Sequence, residues 1–120
     1  MDIESFRQYC LKKKGAAEDY PFNEETLVFK VMNKIFALTP LEKIPLSINI
    51  KCDPERALEL REMYESVLPG YHMSKKNWIT VVMDNSMPDK LFKELVDNSY
   101  DLVVQGLKKS ERIALEALKD

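Results

Sequence analysis

The residues best suited to chemistry lie together in one short segment, Leu68–Met83. It holds the only histidine and the only tryptophan of the chain, His72 and Trp78, and its only charged side chains are those of Lys75 and Lys76. Lysines on an exposed loop can contact phosphates, and a nearby aromatic ring can stack on a base. The segment therefore predicts a basic and aromatic surface for contact with nucleic acid.

A β-hairpin is the element that would position these residues. A Pro-Gly pair begins the segment and an apolar run ends it, which are turn and strand signals. We expect a short strand from Tyr71 to Met73, a turn at 74–77, and a longer strand from Trp78 to Met83. Every second residue from Ile79 would face the core, leaving Trp78 on the open face. The alternative is the reverse parity, with Trp78 in the core and the lysines as ordinary turn residues.

The periodicity of the apolar residues predicts the other elements. A helix from Ile3 ends before Gly15, and period-two patterns indicate strands at 26–31 and 34–41. If the two residues after Val31 form their turn, Phe29 pairs with Phe36 and Leu27 with Leu38. A third strand is predicted at Pro45–Lys51. It is followed by a helix at 54–64, which the Asp53 carboxylate would cap and whose apolar stripe extends to Val67. The remaining predicted elements are a helix that starts at a Ser86/Asp89 capping box, a second helical segment from about Ser99 to Gly106, and a C-terminal helix at 110–119.

These patterns define a two-layer α+β sandwich with the order α-β-β-β-α-β-β-α and one further C-terminal helix. In the third strand, Ile48 and Ile50 face the core, so Lys51 lies on the open face together with Lys30. An antiparallel sheet covered by helices on one face has this alternation. We expect a single domain over residues 1–107 and a helical extension over 108–120.

Composition narrows the classes of function. The chain has 120 residues, of which 45% are apolar and 32% charged, and its net charge is −2. This is globular composition without a global basic field, so nucleic-acid binding would need a local patch. The sequence contains no membrane-span pattern and no signal-peptide pattern at its N-terminus, and we expect a cytoplasmic monomer. Cys10 and Cys52 lack metal-ligand spacing, so they are read as structural thiols, and no metal or cofactor is expected.

Five segments in the same order resemble the MmcQ/YjbR family of small bacterial proteins. They read VFKV at 28–31, KIFAL at 34–38, CDPERALELRE from Cys52, PGYHMSKKNW at 69–78 and NSYDLVVQGL from Asn98. The resemblance implies the same element order and a fold similar to a double-wing nucleic-acid-binding domain, and family members are commonly labelled as DNA-binding on that analogy. It implies no enzymatic activity. In the family pattern a second histidine stands at the position of Asn77, so this chain lacks a paired histidine site.

Three classes of function remain open on these residues. The first is weak DNA binding, for which the candidate residues are Lys30, Lys51, Tyr71, His72, Lys75, Lys76 and Trp78. The second is a protein-interaction module that uses the open sheet face. The third is a thiol enzyme with Cys52 as nucleophile and His72 as base. DNA binding requires a positive surface that joins the lysines, whereas an interaction module would show an apolar patch.

Overall fold

The computed structural model describes residues 1–70, 73–74 and 76–118. The helices and strands of this part of the chain are, in order, α1 (Ile3–Leu11), β1 (Ala16–Asp19), β2 (Thr26–Val31), β3 (Lys34–Pro40), β4 (Ser47–Lys51), α2 (Pro54–Met63), β5 (Val67–Pro69), β6 (Trp78–Val82), α3 (Asp89–Gln105) and α4 (Lys109–Glu116). The predicted α+β class and element order are confirmed, with β1 as an added strand. Among the described residues, no helix is both long enough and apolar enough to span a membrane.

The described strands form one antiparallel sheet of six strands with the order β1-β2-β3-β4-β6-β5. In β4 and β6, every second side chain lies on the sheet face that α3 covers. These side chains are fully buried, namely Ile48, Ile50, Ile79 and Val81. Trp78 pairs with Lys51 on the opposite face, as the parity of the sequence predicts. Trp78 is half-buried and does not belong to the core cluster.

The β2–β3 hairpin turns at Met32 and Asn33, which both have positive φ angles, as a type I′ turn requires. Its register differs from the prediction because β3 carries a bulge, so Phe29 pairs with Ala37 instead of Phe36. The same shift places Leu27 opposite Thr39. The bulge lets Phe36 and its neighbour both turn into the core, where the Phe36 ring packs edge-on against Tyr100 with 5.4 Å between centroids.

The helical layer covers the core face through long aromatic and aliphatic side chains. Phe6 of α1 packs edge-on against Phe29 of β2, with 5.4 Å between the ring centroids. Phe92 of α3 is 1% exposed and therefore lies on the buried face of its helix. The N-terminus of α1 is capped by Asp2, whose carboxylate accepts a 2.8 Å hydrogen bond from the Ser5 amide.

Three sequence predictions about helix ends are wrong. Pro54 starts α2 as expected, but the Asp53 carboxylate makes no capping hydrogen bond. Helix α3 begins after Pro88 without a capping box, because the Ser86 hydroxyl donates to Asp84 at 2.5 Å. The second helical segment predicted from Ser99 is not separate, because α3 continues through Ser99 to Gln105. The Ser99 hydroxyl donates to the Phe36 carbonyl of the sheet.

The second hairpin lies earlier in the chain than the sequence indicates. Helix α2 ends at Met63, which is 71% exposed, and the backbone of Tyr64 is already extended. Val67 consequently belongs to β5 instead of the helix stripe, and it pairs with Val81. The strand β5 thus precedes the segment predicted as a strand at 71–73, of which Tyr71 and His72 lie outside the described residues.

The C-terminal helix α4 packs on the domain near Gly15. Leu115 of α4 is 5% exposed, and its Cδ1 atom would lie 2.6 Å from a Cβ added to Gly15, whose φ is +71°. The segment after residue 107 thus contacts the end of the first helix.

Candidate nucleic-acid interface

Many of the basic residues lie at one end of the sheet, and several acidic residues lie at the opposite end. At one end lie the β2–β3 turn, the end of β4, the start of β6 and the last turns of α1 and α3. We call this the basic end, because it carries the lysines Lys12, Lys13, Lys14, Lys34, Lys51, Lys76, Lys108 and Lys109. The connections at the opposite end, which we call the acidic end, carry Glu24, Glu25, Glu42, Glu65 and Asp84.

The separation is incomplete, and some lysines of the basic end are engaged. Asp53 and Glu55 begin α2 at the basic end, whereas Lys43 lies at the acidic end. The Lys13 ammonium bonds to the Asp97 carboxylate, and that of Lys14 donates to the Glu116 carbonyl at 3.0 Å. These two lysines join α1 to α3 and α4, so they serve packing first.

Trp78 begins β6 at the basic end of the sheet. It pairs with Lys51 across β4 and β6, and the hydrogen bonds continue beyond the strand, since the Cys52 amide donates to the Asn77 carbonyl at 2.8 Å. On its other side, a Cβ added to Gly70 would lie 2.6 Å from the Cβ of Trp78. Because only a glycine permits this approach, β4 on one side and the residue after β5 on the other hold the Trp78 backbone closely.

A cleft of about 360 Å³ opens beside Trp78. Its lining residues come from the β2–β3 turn, β3, β4, β6 and the end of α3, namely Asn33, Lys34, Ile35, Lys51, Trp78, Val103 and Gly106. The cleft lies where β3 and β4 separate, since their register pairing covers only Ala37 with Ile50 and Leu38 with Asn49. It therefore combines an aromatic ring, aliphatic side chains and two ammonium groups around one recess.

Ser99 of α3 bridges the gap between the two strands. Its buried hydroxyl donates to the Phe36 carbonyl at 2.6 Å and accepts from the Lys51 amide at 2.8 Å. Both backbone groups would otherwise lack a strand partner at the bulge. The serine thus satisfies the separated strands and fixes the backbone of Lys51 at the cleft.

The lysines that line the cleft, Lys34 and Lys51, have no carboxylate partner in the described part of the chain. Within the described ranges, no ion pair involves Lys34, Lys51 or Lys76. Lys30 differs, because its ammonium lies 3.1 Å from the Asp19 carboxylate and its hydrogen bond lowers the pKa of that carboxyl. The structure therefore places Lys51 beside Trp78, whereas Lys30 on the same face is paired with Asp19.

The candidate site differs from the sequence prediction in one lining residue and in the exposure of the sheet face. Lys34 lines the cleft but was not a candidate, because only the β3–β4 neighbourhood places it near Lys51. The predicted residues Tyr71, His72 and Lys75 lie outside the described residues. The open face is also less open than expected, since Asn49 is 2% exposed and Thr80 6%.

Both cysteines, the candidate thiols of an enzyme or a metal site, are buried. Cys52 is 3% exposed, and burial raises the pKa of its thiol, which disfavours the reactive thiolate. Cys10 is fully buried, and burial raises its pKa as well. In the part of the chain that the structure describes, no three His, Cys, Asp or Glu side chains cluster closely enough to hold a metal ion.

The fold and the cleft define a small α+β domain with a helix-covered sheet and a basic, aromatic recess at one sheet end. Comparison with known proteins gives the family. The YjbR family model matches residues 11–102. The protein YjbR of Escherichia coli strain K12 is 33% identical over 118 residues, covering 98% of this chain and 100% of its own. This chain belongs to the YjbR family, which confirms the resemblance seen in the sequence.

Other relatives agree with this assignment. The protein YbdF of E. coli O157:H7 is 42% identical over 94 residues, which cover 78% of this chain and 76% of that protein. The crystal structure of the Deinococcus radiodurans protein DR2400 matches with a TM-score of 0.90 and 41% identity, covering 95% of this chain and 87% of its own. These likenesses support the described sheet and helix arrangement over nearly the whole chain.

Proposed function

We propose that this protein is a non-enzymatic domain that binds nucleic acid weakly through the cleft beside Trp78. The observation that carries the proposal is that Lys34 and Lys51 line the cleft together with the half-buried Trp78. These two lysines and the exposed Lys76 have no acidic partner in the described residues. Ammonium groups that are already paired would gain little from a phosphate, whereas these can take one directly.

The shape of the cleft favours a single strand over a duplex. The open recess of about 360 Å³ is lined by Trp78, Ile35 and Val103, which offer a flat ring and apolar side chains. A base can enter such a recess and stack when it is unpaired, while the flanking lysines contact the backbone. Base stacking of this kind contributes about 1–3 kcal/mol per base. We therefore expect tighter binding to single-stranded DNA than to duplex DNA.

The chain provides its own probe for this proposal, since Trp78 is its only tryptophan. A labelled oligothymidine should quench Trp78 fluorescence when it binds, and the fluorescence anisotropy of its label should rise. The affinity should fall as the salt concentration rises. Each lost phosphate contact lowers the salt slope by about 0.7 for a single strand. The double variant Lys34→Ala/Lys51→Ala should therefore lower that slope by about 1.4.

Two further variants complete the test. Lys75→Ala/Lys76→Ala should also weaken binding, whereas the control Lys90→Ala, at an exposed position in the first turn of α3, should bind as the wild type does. Absence of binding at low salt, or binding indifferent to both double variants, would contradict the proposal. Equal loss in the Lys90→Ala control would show attraction to total charge instead of to the cleft.

A protein-interaction function is the second candidate. It is favoured by the exposed apolar side chains of Tyr20, Phe22, Leu41 and Ile44, which lie in two loops at the acidic end. The two candidates use different ends of the sheet. An oligonucleotide that protects only the basic end from solvent exchange would support the first without bearing on the second.

A further inference from the structure

The acidic end contains an apolar cleft that is separate from the basic recess. It has a volume of about 520 Å³ and is lined by Phe22, Asn23, Thr26, Leu38, Pro40, Glu42, Lys43, Asn49 and Met73. Its floor is the sheet face opposite α3, where Leu38 pairs with Asn49 and Thr26 with Pro40. Its walls come from the loops 20–25 and 41–46, which we call the two rim loops, and from Met73.

The rim loops hold each other and present large apolar side chains to solvent. The Leu41 amide donates to the Glu25 carbonyl at 2.7 Å, which ties the second loop to the first. Phe22 is 64% exposed and Ile44 is 96% exposed. Apolar side chains this exposed beside a recess mark a contact surface that extends beyond the cleft itself.

The charge of the rim is acidic. Glu24, Glu25 and Glu42 lie on it, and the Glu42 carboxyl is close enough to raise the pKa of Glu25 by hydrogen bonding and like-charge repulsion. The one lysine of the lining, Lys43, has an interaction of its own. Two neighbouring carboxyls that repel each other are stabilised by an incoming ammonium or guanidinium group.

The floor adds a polar contact below the apolar walls. Asn49 is 2% exposed, and its Oδ1 atom accepts a 2.5 Å hydrogen bond from the Thr80 hydroxyl. This bond fixes the amide group of Asn49 in one orientation at the base of the cleft. A ligand would thus meet a rigid polar group beneath apolar side chains, a combination that recurs in ligand-binding clefts.

We infer that the acidic-end cleft binds a peptide segment of a partner protein in which a lysine or arginine stands beside large apolar residues. The apolar side chain would enter between Phe22 and Leu38, and the cation would lie between Glu25 and Glu42. Nucleic acid and anionic membranes are disfavoured there, because the rim carboxylates repel phosphate. The partner surface therefore lies at the opposite end of the sheet from the proposed nucleic-acid recess.

The probe is a displayed library of random peptides selected on the immobilised full chain. Enriched peptides should combine lysine or arginine with leucine, isoleucine or phenylalanine, and one of them, synthesised, should shift the amide NMR signals of the rim loops. Glu25→Gln/Glu42→Gln should bind that peptide about tenfold more weakly, because both carboxylates, which are exposed in the free protein, lose their charge pairing with the cation of the peptide. Ile44→Ser should also weaken binding, without a change of charge.

Matched controls separate the outcomes. Glu65→Gln removes an exposed acid of the same sheet end outside the cleft, and Lys34→Ala/Lys51→Ala alters the basic recess; both should bind the peptide as the wild type does. Failure of nucleic-acid binding would leave these peptide results unchanged. No enrichment, enrichment of acidic peptides, binding indifferent to the Glu25 and Glu42 changes, or signal shifts confined to contacts between two copies of the chain would each overturn the inference.

Discussion

Replacement of Ser99 by alanine tests whether α3 supports the separated strands beside the proposed recess. The Ser99 hydroxyl is fully buried and is the described partner of two backbone groups, the Phe36 carbonyl at 2.6 Å and the Lys51 amide at 2.8 Å. Alanine would remove one oxygen atom and leave both groups without that partner. We expect Ser99→Ala to destabilise the fold.

The magnitude follows from the surroundings of the two groups. Phe36 is fully buried, so its carbonyl would lose about 1–3 kcal/mol, the usual cost of an unsatisfied buried group. Lys51 is half-buried, so water can reach its amide and the additional loss there is about 1 kcal/mol or less. Alanine returns about 0.5 kcal/mol because it is the better helix former. The net destabilisation should be about 0.5–3.5 kcal/mol.

Urea unfolding followed by Trp78 fluorescence and by circular dichroism measures this change. The midpoint should fall while the slope of unfolding free energy against urea stays constant, since the same surface is exposed. Ser110→Ala is the matched control, because Ser110 is an exposed helical residue of α4 and should be neutral or slightly stabilising. A loss below about 0.5 kcal/mol in Ser99→Ala would refute the bridging role, since this is less than the usual contribution of even one hydrogen bond.

Glycine replacements and titration test two other features. Gly15→Ala should lower the free energy of unfolding by about 1–2 kcal/mol, because φ is +71° and the new Cβ would meet Leu115 at 2.6 Å. Gly106→Ala, with φ at −83° and ordinary contacts, should be neutral or stabilising. Thermal unfolding of both variants measures these changes, and equal effects would contradict the prediction. Burial and the hydrogen bond to Asp97 raise the pKa of Tyr9 to about 12. The folded state therefore holds this proton more tightly than the unfolded state, whose tyrosine pKa is about 10, so its stabilisation is complete below pH 10 and disappears toward pH 12. In urea unfolding across that range, Tyr9→Phe should lose less stability than the wild type, and an unchanged pH dependence would show that Tyr9 does not contribute.

Short-range patterns determined much of this protein. The alternation of apolar and polar residues predicted that Ile48, Ile50, Ile79 and Val81 face the core, and that Lys51 and Trp78 share the opposite face. It also located the turn at Asn33. These features depend on side-chain direction along one strand or on the preferred dihedral angles of one or two residues, and both are local properties of the chain.

The tertiary structure decided which residues meet. The bulge at Phe36 arises because the core accepts two consecutive side chains of β3, and Ser99 from a distant helix satisfies the backbone that the bulge leaves unpaired. The strand order then brings Lys34 to Lys51 and Trp78, and brings the two rim loops together at the other end. Strand order and helix docking depend on packing between segments far apart in the chain, and no periodicity within a segment records those contacts.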